Sequence, residues 1–248
     1  NIANVNTKGY VRQRVDMADA PYAGIVTNTG NYKIGLGADV QGISQIRHSF
    51  LDGMYRMENE GLGYWAAREK TLEEIQTIIS EPMENGLQHV LNEFWDSWQE
   101  LSKAPDSLTV RALVIQRGEA VVQHVNHLGS QLDKLQNDLN TEIAVRIGEL
   151  NNMIKQIADL NVKILKYEVA SDSANDFRDQ RNVLMDELTN MVNVNINEMQ
   201  DGQVAITLGG HFIVYKGEYE EIYAKSNVAG SPFYVPRLVK NDLEVSIG

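Results

Sequence analysis

From Leu108 to about Tyr167 the chain has no proline and carries an apolar stripe almost without a break. Val125, Leu128, Leu132, Leu135 and Leu139 alternate at spacings of three and four, which lines one face of an α-helix. Ile143, Ile147, Leu150, Ile154 and Ile157 resume after one extra residue, a skip that changes a supercoil locally rather than ending the helix. At a rise of 1.5 Å per residue, about 60 residues reach roughly 90 Å. A compact enzyme domain rarely holds such a helix, whereas an elongated subunit is built around one. Gly118, Gly129 and Gly148 each cost about 1 kcal/mol against alanine inside it, so they are expected to mark close approach of neighbouring helices. Asn161 falls on the stripe. Such a residue either sets register or lies in a frayed end, and both readings stand at this point.

The flanking segments fit the same plan. A helical pattern starts near Gln45 with Ile46, Phe50, Met54 and Met57. It weakens at Gly61 and Gly63 and continues through Leu72, Ile75 and Ile79, and Pro82 ends it by disfavouring helix at Glu81. A second helix runs from about Asn85 to Lys103, with a seam of Leu87, Leu91, Phe94, Trp98 and Leu101 and with Trp95 at its edge. Pro105 closes it, and Asp106 or Ser107 is placed to cap the long helix. The expected helical core is therefore Leu87, Leu91, Phe94 and Trp98 against Leu128, Leu132, Leu135 and Leu139.

After a loop at Ala170–Asp172 comes a short helix bearing Phe177, Leu184, Leu188 and Met191. The period then changes to two: Val192, Val194 and Ile196, then Val204, Ile206 and Leu208, then Phe212 and Val214, with Asp201-Gly202 as a hairpin signal. The predicted fold is mainly α with a β part (α+β), an elongated helical bundle followed by a smaller β domain. Its parts are an irregular, short-β segment over 1–45, helices over 46–190 and the start of a β domain over 191–248. That last domain reads as unfinished, and the opening without Met reads as a fragment.

The formal charge of −12, from 22 Lys and Arg against 34 Asp and Glu, argues against nucleic acid and against an anionic membrane surface. No apolar run approaches a membrane span. The absence of cysteine excludes disulfides, thiolate metal sites and cysteine nucleophiles. His124 and His127 share a helix face but lack a third ligand at useful spacing, so they read as solvated. Gly35-Leu36-Gly37-Ala38-Asp39-Val40 has Val40 where a dinucleotide loop needs its third glycine. Asp176, Asp179, Asp186 and Glu187 around Arg178 and Arg181 read as ion pairs on one helix face. Neither a catalytic set nor a cofactor or metal site is expected.

The opening carries the functional signal. Asn4 and Asn6 compete with helix for backbone hydrogen bonds, Gly9 supplies the positive φ of a tight turn, and Tyr10–Val15 starts a strand-like alternation. The stretch Asn1, Ile2, Ala3, Asn4, then Thr7, Gly9 and Tyr10 resembles the N-terminal signature of bacterial flagellar axial proteins. Its continuation through Arg12, Gln13, Arg14 and Val15 resembles the flagellar hook-associated protein 1 family, the hook–filament junction subunits. Further blocks are similar to that family. They are Gly35, Gly37, Val40, Gly42 and Ile43 leading to Arg47, Phe50 and Leu51; Pro105, Asp106, Arg111, Ala112 and Leu113; Asp179-Gln180-Arg181 with Leu184 and Leu188; and Asp201-Gly202 with Leu208-Gly209-Gly210. His48-Ser49 departs from the family's aromatic-acid pair, and the first two residues of the second block are permuted.

The resemblance implies a structural subunit needed for filament assembly, with Asn1, Ile2, Ala3, Asn4, Thr7, Gly9 and Tyr10 as its assembly motif. It implies a ring of copies in contact with the hook protein and the adjacent hook-associated junction protein, served by a flagellar export chaperone. It implies an extracellular place, reached through the flagellar type III system without a cleaved signal. A rod or hook subunit shares the opening but is β-rich after it. A non-flagellar coiled-coil binding module with a chance match at its opening is a rival from a different class, and an enzyme is the weakest rival. Residues 1–9 carry little apolar bulk and are expected to be free in the isolated protein, with Gly9→Val leaving its melting temperature nearly unchanged.

Overall fold

The computed structural model describes residues 1–27, 30–79, 86–170, 173–226 and 232–245. The expected helix stop at Pro82, the first residues of the second helix and most of the loop Ala170–Asp172 lie outside these. Four helices occur among the described residues: α1 (Ser49–Ile79), α2 (Leu87–Lys103), α3 (Leu108–Val169) and α4 (Asn175–Met191). At 62 residues α3 is unbroken, as its stripe predicts. Ser107 stands at its N-terminus, where its hydroxyl accepts the Val110 N–H at 3.5 Å.

The opening strands are β1 (Gln13–Asp19), β2 (Ala23–Thr27), β3 (Gly30–Ile34) and β4 (Ala38–Gln45). They pair antiparallel as two ribbons, β1 with β4 and β2 with β3. A four-stranded sheet follows in the order β5 (Val194–Glu198), β6 (Val204–Leu208), β7 (His211–Tyr215), β8 (Glu218–Tyr219). The turn around Asp201-Gly202 joins β5 to β6, with Glu198 opposite Val204. Finally β9 (Ile222–Ser226) pairs with β10 (Tyr234–Leu238).

The contacts divide the chain into two units. One comprises Asn1–Gly63, Ile147–Tyr223 and Pro236–Gly248. Its core draws on Ile147, Leu150, Ile154, Ile157 and Ile164 of α3, Met185 and Leu188 of α4, and Val204, Ile206, Leu208 and Ile213 of the sheet, all buried. Asn161 is completely buried here. Its side-chain amide donates to the Val204 carbonyl at 2.9 Å and to the Lys216 carbonyl at 2.6 Å, and its oxygen accepts the Val204 N–H at 3.1 Å. Asn151 holds both backbone groups of Ile222 in the same manner, at 2.7 and 2.9 Å. The position is therefore a pin between helix and strand, and a frayed helix end does not describe it.

The other unit comprises Tyr64–Arg146 and Ala224–Val235. Asn140 repeats the device, donating to the Pro232 carbonyl and accepting from the Tyr234 N–H, each at 2.7 Å. Arg117 reaches Glu93 at 2.5 Å to tie α3 to α2, and Lys70 reaches Glu142 at 3.3 Å to tie α1 to α3.

Three expectations need correction. Leu91, Trp98 and Leu132 are exposed, and Leu87, Phe94, Leu135 and Leu139 are only half-buried. Leu128 alone of the expected core is buried. The spacing predicts one closed core, yet most of these side chains keep solvent exposure; between α2 and α3, Phe94 lies against Gly118 and Arg117 pairs with Glu93. Of the three α3 glycines, Gly118 does meet a neighbour, but a side chain at Gly129 or Gly148 would face open space. The stripe on α1 is also uncovered: Phe50, Met57, Leu72 and Ile79 are exposed and no residue of that helix is buried.

Candidate functional site

The chemistry of the opening segment is organised by α4. Residues Asp179, Val183 and Glu187 recur every four positions, so they share one helix face. The opening segment runs along this face in the reverse direction. Asp179 accepts the Val11 N–H at 3.2 Å, Val183 lies against Gly9, and Glu187 pairs with Lys8 at 2.7 Å. Gly9 has φ +81°, the left-handed region that favours glycine, and a Cβ there would overlap a Val183 methyl group. The predicted turn is thus present, but it belongs to the packed structure and is not free.

The segment is also closed on itself. The Asn1 side chain donates to the Gln13 carbonyl at 2.9 Å, and its oxygen accepts the Gln13 N–H and the Tyr10 hydroxyl, each at 3.0 Å. Thr7 accepts the Tyr10 N–H through its carbonyl at 3.1 Å. The structure therefore brings Asn1, Asn4, Thr7 and Tyr10 together, with the Asn4 N–H donating to the Asn1 carbonyl at 3.3 Å and the Thr7 N–H to the Asn4 carbonyl at 3.0 Å, and it seats Gly9 on Val183; Asn1, Ile2, Ala3, Asn4 and Thr7 all stay exposed, Ile2 at 91%.

Asp179 also grips the far strand of the first ribbon. Its second oxygen accepts the Gln45 amide at 2.7 Å, and Gln45 is the partner of Gln13 across β1 and β4. Asn175 adds a bond to the Ile43 carbonyl at 2.8 Å. Burial raises the Asp179 carboxyl above its ordinary range, against the pull of Val11, Gln45 and Arg47, and Asp176 pushes it further up. On another side of α4, Asp186 holds Arg56 of α1 at 2.9 Å, and Asn59 donates to the Asp186 carbonyl at 2.6 Å. Gly63 passes so close to the Asn190 carbonyl that a side chain there would overlap it. Through these polar and small residues α1 approaches α4.

The acidic group on α4 therefore does not pair with the arginines of its own helix, contrary to the reading of ion pairs along one face. Arg178 instead reaches Glu168 of α3 and Glu198 of β5, each at 2.6 Å. Burial pulls its guanidinium down, but the bonds to the two glutamates outweigh burial and leave it raised. Arg181 lies buried beneath, donating to Asn161 at 2.9 Å and to the Gly202 carbonyl at 2.7 Å. Burial lowers it to about 10, with Arg178 adding to the effect and Glu198 opposing it. At neutral pH both remain cations that bind α4 to α3 and to the β5–β6 turn. Among the described residues no group of three or more His, Cys, Asp or Glu side chains could hold a metal ion. His127 lies beside Gln131 at 2.6 Å. No helix among them is long and apolar enough to cross a membrane.

The hub role of α4 is not readable from sequence, although one signal for it is present: the Asp179-Gln180-Arg181 block already stands out. Periodicity places apolar residues on a helix, but it does not tell which distant backbone a buried carboxylate will serve.

The fold and this site define a class: a mainly helical chain whose opening segment is strapped to a short helix beside a very long one. Residues 72–238 match the family described as the flagellar hook-associated protein FlgK helical domain. Flagellar hook-associated protein 1 of Bacillus subtilis is 34% identical over 209 residues, covering 83% of this chain and 41% of that protein. The same-named proteins of Salmonella typhimurium and Escherichia coli are 27% and 26% identical, each over 88% of this chain and 39% of their own length. The solved structure of the flagellar hook junction protein FlgK from Burkholderia pseudomallei is similar in fold, with TM-score 0.57, 16% identity, and coverage of 76% of this chain and 34% of that one. The chain belongs to the flagellar hook-associated protein 1 (FlgK) family. It spans about two fifths of the length of these curated relatives.

Proposed function

We propose that this protein is a structural, non-catalytic subunit at the junction between the flagellar hook and filament, and that filament assembly needs it. The observation that carries this reading is the likeness to flagellar hook-associated protein 1 over 83% of the chain. The seat of the opening segment on α4 supports it, because the residues resembling the axial assembly motif are held in one defined pose. In this reading residues 1–45 are the assembly segment, 46–190 carry load through the helices, and 191–248 supply the β part, whose sheet shares a core with α3 and α4. The subunits form a ring and meet the hook protein on one side and the adjacent hook-associated junction protein on the other, with an export chaperone before assembly. The protein leaves the cell through the flagellar type III system and acts outside it.

The helical seam of Leu87, Leu91, Phe94, Trp98, Leu128, Leu132, Leu135 and Leu139 is proposed to close only when more of the organelle is in place. Its exposed members, Leu91, Trp98 and Leu132, are the side chains such a contact would cover. Electron microscopy of a strain lacking the gene tests the function. Hooks without filaments, restored by the wild-type gene, are expected. Normal filaments in the deletion strain would contradict it.

A further inference from the structure

We infer that Asp179 is a positioning residue that sets the direction in which the opening segment leaves the folded unit. The inference rests on the proposal that this segment is an assembly motif. Asp179 is buried, and its two oxygens serve the lead-in to β1 and the end of β4, at the place where their ribbon begins. One oxygen holds Val11, two residues before β1, and the other holds Gln45, the last residue of β4. The next ladder bond beyond this clamp runs from the Ile46 N–H to the Arg12 carbonyl at 2.8 Å. The carboxylate therefore fixes the root of the ribbon and the exit of the segment in a single contact.

A buried carboxylate is a poor choice for stability alone, since desolvation disfavours the charge. It does what an apolar residue cannot: it accepts from two separate donors at once and so fixes an angle between them. Lys8 with Glu187 and Gly9 with Val183 keep the chain on α4 beyond that point, but neither constrains both strands. Without Asp179 the fold of α3, α4 and the sheet keeps its own core, while the segment loses its set direction.

The test uses the full-length protein. Amide hydrogen exchange is followed at residues 9–15 and at Ile154 and Leu188, and filaments are counted in strains carrying the same variants. Asp179→Ala is expected to speed exchange at Val11 by at least about tenfold while Ile154 and Leu188 stay protected, and to cut filament number. Asp179→Asn keeps an oxygen for Val11 but turns a donor toward the Gln45 amide, which stays held by the Asn175 carbonyl at 3.1 Å, so it is expected to restore the protection of Val11 and the filaments in part. It also remains informative if the alanine variant fails to fold. Unchanged exchange at Val11 in Asp179→Ala, or loss of protection at Ile154 and Leu188 by the same factor, would overturn the inference. Local release of Val11 with normal filaments would overturn it too. In that event Asn1→Ala with Thr7→Ala separates the two ideas: filament loss there leaves the assembly reading standing without Asp179, and normal filaments there defeat both.

Discussion

Asn161→Ala removes the most connected side chain in the core of α3. The wild-type amide donates to the buried Val204 carbonyl and to the carbonyl of the exposed Lys216, and its oxygen accepts from Arg181 and from the Val204 N–H. Alanine leaves the Val204 carbonyl and N–H without these partners in a place that solvent does not reach, while Arg181 keeps its bond to the Gly202 carbonyl. Each buried group so stranded costs about 1–3 kcal/mol, and neighbouring losses are not additive. Arg181 adds to the cost, because it keeps its charge with one acceptor fewer. The expected destabilisation is about 3–5 kcal/mol, near the upper end for a single substitution. Asn137 is the matched control: it lies on the same helix, and its amide bonds only to the Asp133 carbonyl one turn away. Asn137→Ala should cost under about 0.5 kcal/mol. Urea unfolding of both variants at unchanged slope gives the comparison directly. If Asn161→Ala shifts the midpoint no more than Asn137→Ala, the pin between α3 and the sheet does not hold the unit together.

Other outcomes follow from the same contacts. Ile154→Ala should cost about 2–5 kcal/mol because Ile154 is fully buried, whereas Leu91→Ala should cost under about 1.5 kcal/mol, both read from chemical denaturation. Gly9→Val combines positive φ with overlap on Val183, so the melting temperature should fall by about 4 °C or more, and an unchanged melt would show that the segment is not docked. The raised Asp179 carboxyl means that the folded state binds its proton more tightly than the unfolded chain. Its contribution to stability is thus fully present below the ordinary value of 3.8 and is lost as pH rises through the raised one. Asp179→Asn should flatten the stability curve over that window, and an unaltered curve would refute the assignment. Arg47 and Asp176 are the charged neighbours to hold constant in that comparison.

Much of the fold is legible in the sequence because long regularities have one physical meaning. A stripe without proline over about 60 residues predicts α3, and the change to period two predicts β5, β6 and β7. Shorter features are hidden. The ribbon of β2 and β3 has little apolar alternation, β8 has two residues, and β10 contains Pro236, so none carries a strand signature. Spacing overstates the burial of Leu91 and Trp98 because it shows that a face is apolar without showing what covers it. The opening motif is legible as a motif, and the turn at Gly9 as a turn. Its seat is not, because Val11 and Asp179 are separated by 168 positions and meet through a backbone N–H that leaves no mark on residue type. The asparagines at 140, 151 and 161 are hidden in the same way: each satisfies strand backbone, and a polar residue on a helix does not announce such a partner.

The proposed function is at root a location, so the most direct measurement is to see it. Antibody raised against this chain, carried by gold particles, can be imaged on flagella purified with hook and filament still joined. A subunit of the junction predicts a single narrow band of label between the two. Label spread along the hook, the filament or the rod, or none on intact flagella whose junction is open to antibody, would contradict that place.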